Sequence, residues 1–256
     1  MYRATQVITL LVALAFPAAA SDDGEITVTQ SDSGKPIATH QGRRFSLAFE
    51  KAMHSFAEKD KADPATGQIV FTGSSSMVGW RTLKQDMAPL PVANRAFGGS
   101  NSIQLWYYAD RAILPRQPKV IVIYIGDNDM PPKSVTIDSY MKYVKLLVQK
   151  VRVSLPHARF AFLASKPSVA RWHLWDKYLA ANKALKQFCA TDPLITYIDI
   201  TPSLLDEDGV VRQDCYGKDK LHFKKEVYAE WTRIVRPVVE RLWAQANAPA
   251  PDGETQ

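Results

Sequence analysis

Four short segments of this 256-residue chain carry side chains able to do chemistry together. In Phe71-Thr72-Gly73-Ser74-Ser75-Ser76-Met77, a glycine and three serines read as a strand-to-helix turn. Glycine permits the tight turn, and a serine at a helix start lies beside backbone N–H groups and the positive end of the dipole. The same serine would also serve as an ordinary N-cap. In Asn94-Arg95-Ala96-Phe97-Gly98-Gly99-Ser100, paired glycines let the backbone approach a ligand and offer N–H donors, or simply form a loop. In Tyr124-Ile125-Gly126-Asp127-Asn128-Asp129, Asn128 brings an uncharged amide donor to the end of an apolar run, and Asp127 reads as turn chemistry or a helix cap. In Lys218-Asp219-Lys220-Leu221-His222-Phe223, an aspartate three residues before a histidine can fold back onto one ring nitrogen. The other nitrogen is then left as a general base. The alternative there is a capping aspartate and an unrelated histidine.

Elements that could position these segments alternate along the chain. The runs Ile69-Val70-Phe71, Val120 to Ile125, Phe160-Ala161-Phe162-Leu163 and Ile195-Thr196-Tyr197-Ile198 are apolar, β-rich and bounded by turn residues. The second is apolar on both faces, as a central parallel strand covered by helices requires. Helical spacing places apolar residues on one side over 45–59, over Ile137 to Val151, over roughly 171–190, and from Val227 to Leu242. Strand and helix alternation of this kind predicts an α/β domain with a parallel sheet, because each parallel connection crosses over through a helix. Ligands of such folds bind beyond the carboxyl ends of the strands, where the first three segments fall; the fourth lies just before the final helix.

In this order and spacing, the four segments resemble the SGNH hydrolase superfamily, the GDSL-type esterases, over most of the chain from about Ile69 to about Leu242. The resemblance implies a flavodoxin-like three-layer α/β/α sandwich with a central parallel sheet. It also implies acyl transfer through a serine ester, with Ser75 as nucleophile, His222 as base and Asp219 as its orienting acid. The oxyanion hole would be made by the N–H groups of Ser75 and Gly99 and the side chain of Asn128. No metal or other cofactor enters this scheme. Where the family carries an aspartate before its nucleophile, this chain has Ser74. Ungapped alignment selects Ser75, with Ser74 and Ser76 as the adjacent alternatives.

Composition bounds the remaining choices. With 46% hydrophobic and 23% charged residues the chain can bury a core, and its net charge of +6 includes no dense basic block of the kind that binds nucleic acid. Met1-Tyr2-Arg3, an apolar run from Val7 to Phe16 and Pro17-Ala18-Ala19-Ala20 read as a secretory signal cut after Ala20. A spanning helix needs about 20 apolar residues, so no integral membrane anchor is expected after cleavage. The expected organisation is a signal at 1–20, a flexible polar lead-in at 21–44, an esterase domain at 45–246 and a disordered tail at 247–256. Export, to the periplasm or medium, would permit a disulfide between Cys189 and Cys215, the only cysteines.

The other histidines, His40, His54, His157 and His173, match no zinc spacing. Trp106, Tyr107 and Tyr108 read as core packing. Lys166-Pro167-Ser168, Arg171 and Trp172 follow the fourth strand, where they could line an acyl or alcohol pocket. The expected activity is hydrolysis of short acyl esters on carbohydrate or other small substrates. A lysophospholipase or thioesterase is the enzymatic alternative, and a non-catalytic glycan-binding envelope protein the alternative of another class.

Overall fold

The computed structural model describes residues 24–31 and 33–249. The signal reading at 1–20 lies outside them. Five parallel strands form the central sheet in the order β5-β4-β6-β7-β8: β4 (Ile69–Gly73), β5 (Val92–Asn94), β6 (Val120–Tyr124), β7 (Arg159–Leu163) and β8 (Ile195–Ile198). Every residue of β6 is buried, as its two apolar faces require. Its side chains alternate with the two-residue period of a strand. Ile121 and Ile123 join Phe160 and Phe162 under α1 (Glu50–Ala62), α4 (Ser102–Ala112), α5 (Ile137–Ser154) and α6 (Trp175–Cys189). Val120, Val122 and Tyr124 join Ile69, Phe71 and Trp231 under α2 (Ser75–Gly79), α3 (Leu83–Asp86) and α7 (Val227–Asn247). Two buried layers thus sandwich the sheet, which gives the three-layer α/β/α architecture.

Register brings the strand ends level. Gly73 pairs with Tyr124, and Tyr124 with Leu163, so β4, β6 and β7 finish side by side and their following loops share one rim. Gly73 is required there. Its φ is +124°, and a Cβ on it would stand 1.9 Å from the carbonyl oxygen of Tyr124. No side chain fits so close an approach of two backbones.

Three expectations change. The described part of segment 21–44 is not a flexible lead-in. It contains β1 (Ile26–Gln30) and β2 (Pro36–His40), which with β3 (Arg43–Ser46) form an antiparallel sheet. Gln41 and Gly42 both have positive φ, the signature of a two-residue hairpin turn that matches strand twist. Ala38 and Phe45 bury into the α4–α5 layer, and Arg43 Nη2 lies 2.9 Å from Asp129 Oδ1. Phe45 therefore belongs to β3, and the first helix begins at Glu50 rather than 45. The helix expected from 171 begins at Trp175, after a 3-10 stretch over Val169–Leu174 in which Arg171 departs from helical geometry.

The cysteines are unbridged. Cys189 ends α6 in one buried layer and Cys215 lies in the other, so the sheet separates the two thiols. Elsewhere Trp106 and Tyr108 are core residues, as expected, and His40 is buried with Nδ1 3.0 Å from the Tyr143 hydroxyl. No helix among the described residues is long and apolar enough to cross a membrane.

Candidate functional site

Ser75 is the first residue of α2, placed at the rim by the Gly73 turn. Ser74 and Ser76, the adjacent alternatives, are 0% and 1% exposed, whereas Ser75 is half-buried. Its Oγ lies 2.9 Å from His222 Nε2. On the far side of the ring, Asp219 Oδ2 is 2.6 Å from Nδ1. The three residues sought from sequence therefore meet as one hydrogen-bonded chain, although 147 positions separate Ser75 from His222.

Local hydrogen bonds shape the loop that supplies His222. Tyr216 and Phe223 form an isolated antiparallel bridge, and the Gly217 N–H donates to the His222 carbonyl at 2.8 Å. Asp219 Oδ1 accepts the backbone N–H groups of Leu221 and His222, each at 3.0 Å. The His222 side chain first, and then these backbone donors, hold the Asp219 carboxyl well below the usual carboxylate range.

Asn128 follows β6 across the rim. Its Nδ2 donates to the Ser100 carbonyl at 3.0 Å, and its Oδ1 accepts from Nη1 and Nη2 of Arg171, both at 3.2 Å. An amide Nδ2 carries two hydrogens, so one remains for a ligand. Gly98 stands beside the serine, with its Cβ position 3.8 Å from Ser75 Cβ, and Gly99 adopts a φ of +84° in open space. Among the described residues, neither the Ser75 nor the Gly99 backbone N–H donates to another acceptor. A cleft of about 570 Å³ between α1, α3 and β5 is lined by Trp80, Asn94 and Arg95, but not by Ser75, Asn128 or His222.

Two sequence expectations need revision here. Asp127 is no turn cap: it is buried, with Lys166 Nζ 3.1 Å from Oδ2 and Arg171 Nη1 2.6 Å from Oδ1. Burial by itself would raise its pKa, but these two cations hold it below the ordinary value. Lys166, expected to line a pocket, is 1% exposed and faces this carboxylate instead. Asp129 accepts the Ser102 N–H at 3.0 Å, at the start of α4 beside its N-cap Asn101.

A parallel α/β/α sandwich that gathers a serine, an imidazole, a carboxylate and an amide beyond its strand ends has the groups that acyl transfer requires. The chain belongs to the GDSL-like lipase/acylhydrolase family, whose model matches residues 56–230, and is accordingly a hydrolase of ester bonds. Platelet-activating factor acetylhydrolase IB subunit alpha1 of Homo sapiens is 27% identical over 169 residues, 65% of this chain and 70% of that one. Two solved structures share the fold. A GDSL-like lipase from Bacteroides thetaiotaomicron is 17% identical, with a TM-score of 0.63, covering 75% of this chain and 99% of that one. An acetylxylan esterase from Geobacillus stearothermophilus is 13% identical, with a TM-score of 0.52, covering 70% and 95%.

Proposed function

We propose that this chain is an exported serine esterase that removes short acyl groups from carbohydrate or other small esters. The observation that carries the proposal is the continuous Ser75–His222–Asp219 hydrogen-bonded chain. In the proposed reaction, Ser75 Oγ attacks the ester carbonyl carbon while His222 Nε2 takes the hydroxyl proton. The tetrahedral intermediate collapses, the bond to the leaving oxygen breaks, and His222 returns the proton to the departing alcohol. Water, activated by the same imidazole, then releases the acid from Ser75. The N–H groups of Ser75 and Gly99 and the Asn128 amide supply the donors for the developing oxyanion. The acetylhydrolase in the name of the mammalian relatives supports a short acyl group. The same name favours one second reading, in which the alcohol is a lipid, as a lysophospholipase-like activity would require.

Fluorophosphonate labelling tests the reaction class. Wild type is expected to label and Ser75→Ala to stay unlabelled. Failure of the wild type to label would favour a non-catalytic glycan-binding protein. Nitrophenyl esters of increasing chain length then separate acyl specificities, since a short pocket loses activity steeply beyond a few carbons. Export has its own test: the mature protein recovered from the cell envelope or medium should begin at Ser21.

A further inference from the structure

The segment after β7, residues 165–174, touches both halves of the site. Lys166 Nζ donates to the Leu221 carbonyl, one residue before His222, at 2.9 Å. The Tyr216 hydroxyl donates to the Pro167 carbonyl at 2.6 Å, and the Ala170 N–H to the Lys220 carbonyl at 2.9 Å. The same segment reaches Asn128 through Arg171. Nη1 of Arg171 is anchored on the carboxylate and carbonyl oxygens of Asp127, both at 2.6 Å. Asp127 is itself fixed by the hydroxyls of Tyr178, at 3.0 Å from Oδ1, and Tyr124, at 3.2 Å from Oδ2.

An asparagine amide has two orientations of nearly equal shape, and only one presents its N–H groups to a given side. Guanidinium donates and never accepts, so a neighbouring arginine admits only the carbonyl end of the amide. Arg171 meets Asn128 Oδ1 with two of its nitrogens, which sends Nδ2 to the Ser100 carbonyl and leaves its second hydrogen unspent. A lysine would offer a single point charge and no fork to grip the oxygen. Charge neutrality alone does not call for Arg171, because Lys166 already pairs with Asp127.

We propose that Arg171, anchored on the buried Asp127–Lys166 pair, is a positioning residue that locks the Asn128 amide in the orientation that makes Nδ2 an oxyanion donor. The proposal rests on the serine-esterase reading above. It assigns Arg171 an effect on turnover that passes entirely through Asn128.

The test is a double-mutant cycle on a short-chain nitrophenyl ester, with wild type, Asn128→Ala, Arg171→Met and the double variant. Arg171→Met is expected to lose up to about 100-fold in kcat, with KM within about threefold of wild type, as misplacement of a catalytic group does. The double variant should be no slower than Asn128→Ala alone. Arg171→Lys, which keeps the charge, should recover only a minor part of the loss. Losses that multiply in the double variant, or full wild-type kcat in Arg171→Lys, would overturn the proposal. Should Arg171→Met fold poorly, Arg171→Gln, also neutral, closes the same cycle. Fluorophosphonate labelling run alongside separates the two levels. Loss of label in Ser75→Ala together with multiplying losses overturns the positioning role alone, whereas a wild type that never labels overturns both.

Discussion

Asp219 holds His222 twice, through Oδ2 to the ring Nδ1 at 2.6 Å and through Oδ1 to the His222 backbone N–H at 3.0 Å. One carboxylate thus builds the turn that delivers the histidine and fixes which ring nitrogen faces Ser75. Asp219→Asn can preserve the turn while presenting a donor to Nδ1, which favours the wrong tautomer. We expect kcat to fall about 100- to 10,000-fold, the larger figure being that of a buried triad aspartate. Steady-state kinetics and the rate of fluorophosphonate labelling should fall together. A change within about threefold would remove Asp219 from the machinery.

The pH profile should carry no contribution from Asp219 until the pH is strongly acid. Because His222 and the backbone donors hold the Asp219 carboxyl well below its ordinary range, it stays ionised under mildly acid conditions. His222 can accept the Ser75 proton only as the neutral imidazole, with the ionised Asp219 beside it. With its folded pKa depressed, the contribution of Asp219 is present above the unfolded carboxylate value and lost only as pH falls through the folded one. Protonation of Asp219 is therefore expected to add no limb to the logarithm of kcat/KM at mildly acid pH. A slope of two there would contradict the depressed Asp219 carboxyl.

Much of the fold is legible in the chain because β6 and the α5 stripe announce themselves by apolar runs and helical spacing. The N-terminal sheet was obscured by its own surface. In β1 the alternation Ile26-Thr27-Val28-Thr29 covers only four residues among polar neighbours, and the Gln41-Gly42 turn lacks the usual asparagine or aspartate. The order Ser75, Asn128, Asp219, His222 is readable as a motif in which ungapped alignment selects Ser75, yet the run of three serines offers no physical feature of its own that separates them. Burial of Ser74 and Ser76 by tertiary packing does that. Arg171 and Lys166 were visible as residues following a strand. Their partners, Asn128 and Asp127, lie about 40 positions away and across the sheet edge, a distance no periodicity spans.

Gly73 and Gly99 should respond very differently to a methyl group. At Gly73 the new Cβ meets the Tyr124 carbonyl oxygen at 1.9 Å, between two central strands that have no room to part. Gly73→Ala is expected to cost more than about 4 kcal/mol or to abolish soluble expression. Gly99 has a φ of +84° with nothing within 4 Å, so Gly99→Ala meets only backbone strain of about 1–2 kcal/mol. Urea denaturation of the two variants measures the contrast, and equal midpoints would contradict it.

The two cysteines should behave as separate, protected thiols. Burial pushes Cys189 up to about 12 and Cys215 up to about 11, so little thiolate exists at neutral pH. A thiol reagent should react slowly with the native protein and titrate two groups once it is unfolded. Reduction should leave the intact mass unchanged. A gain of two hydrogens on reduction would mean that the thiols had met, which the intervening sheet prevents.

Removing the Asp127 carboxylate should be worse than removing either cation that faces it. Asp127→Asn leaves Lys166 and Arg171 close together without a counter-charge, and Lys166 is fully buried. Breaking a buried pair in this way costs about 3–5 kcal/mol. Lys166→Met is milder, because Asp127 keeps Arg171. Adding Lys166→Met to Asp127→Asn should recover part of the lost stability, since it withdraws the stranded charge. Because the folded Asp127 pKa is lowered, its contribution persists above the unfolded carboxylate value and disappears as pH falls through the folded one. The wild type's advantage over Asp127→Asn in urea midpoint should therefore hold from neutral through mildly acid pH and narrow only in strong acid. An advantage that vanished at mildly acid pH would place Asp127 outside this ion pair.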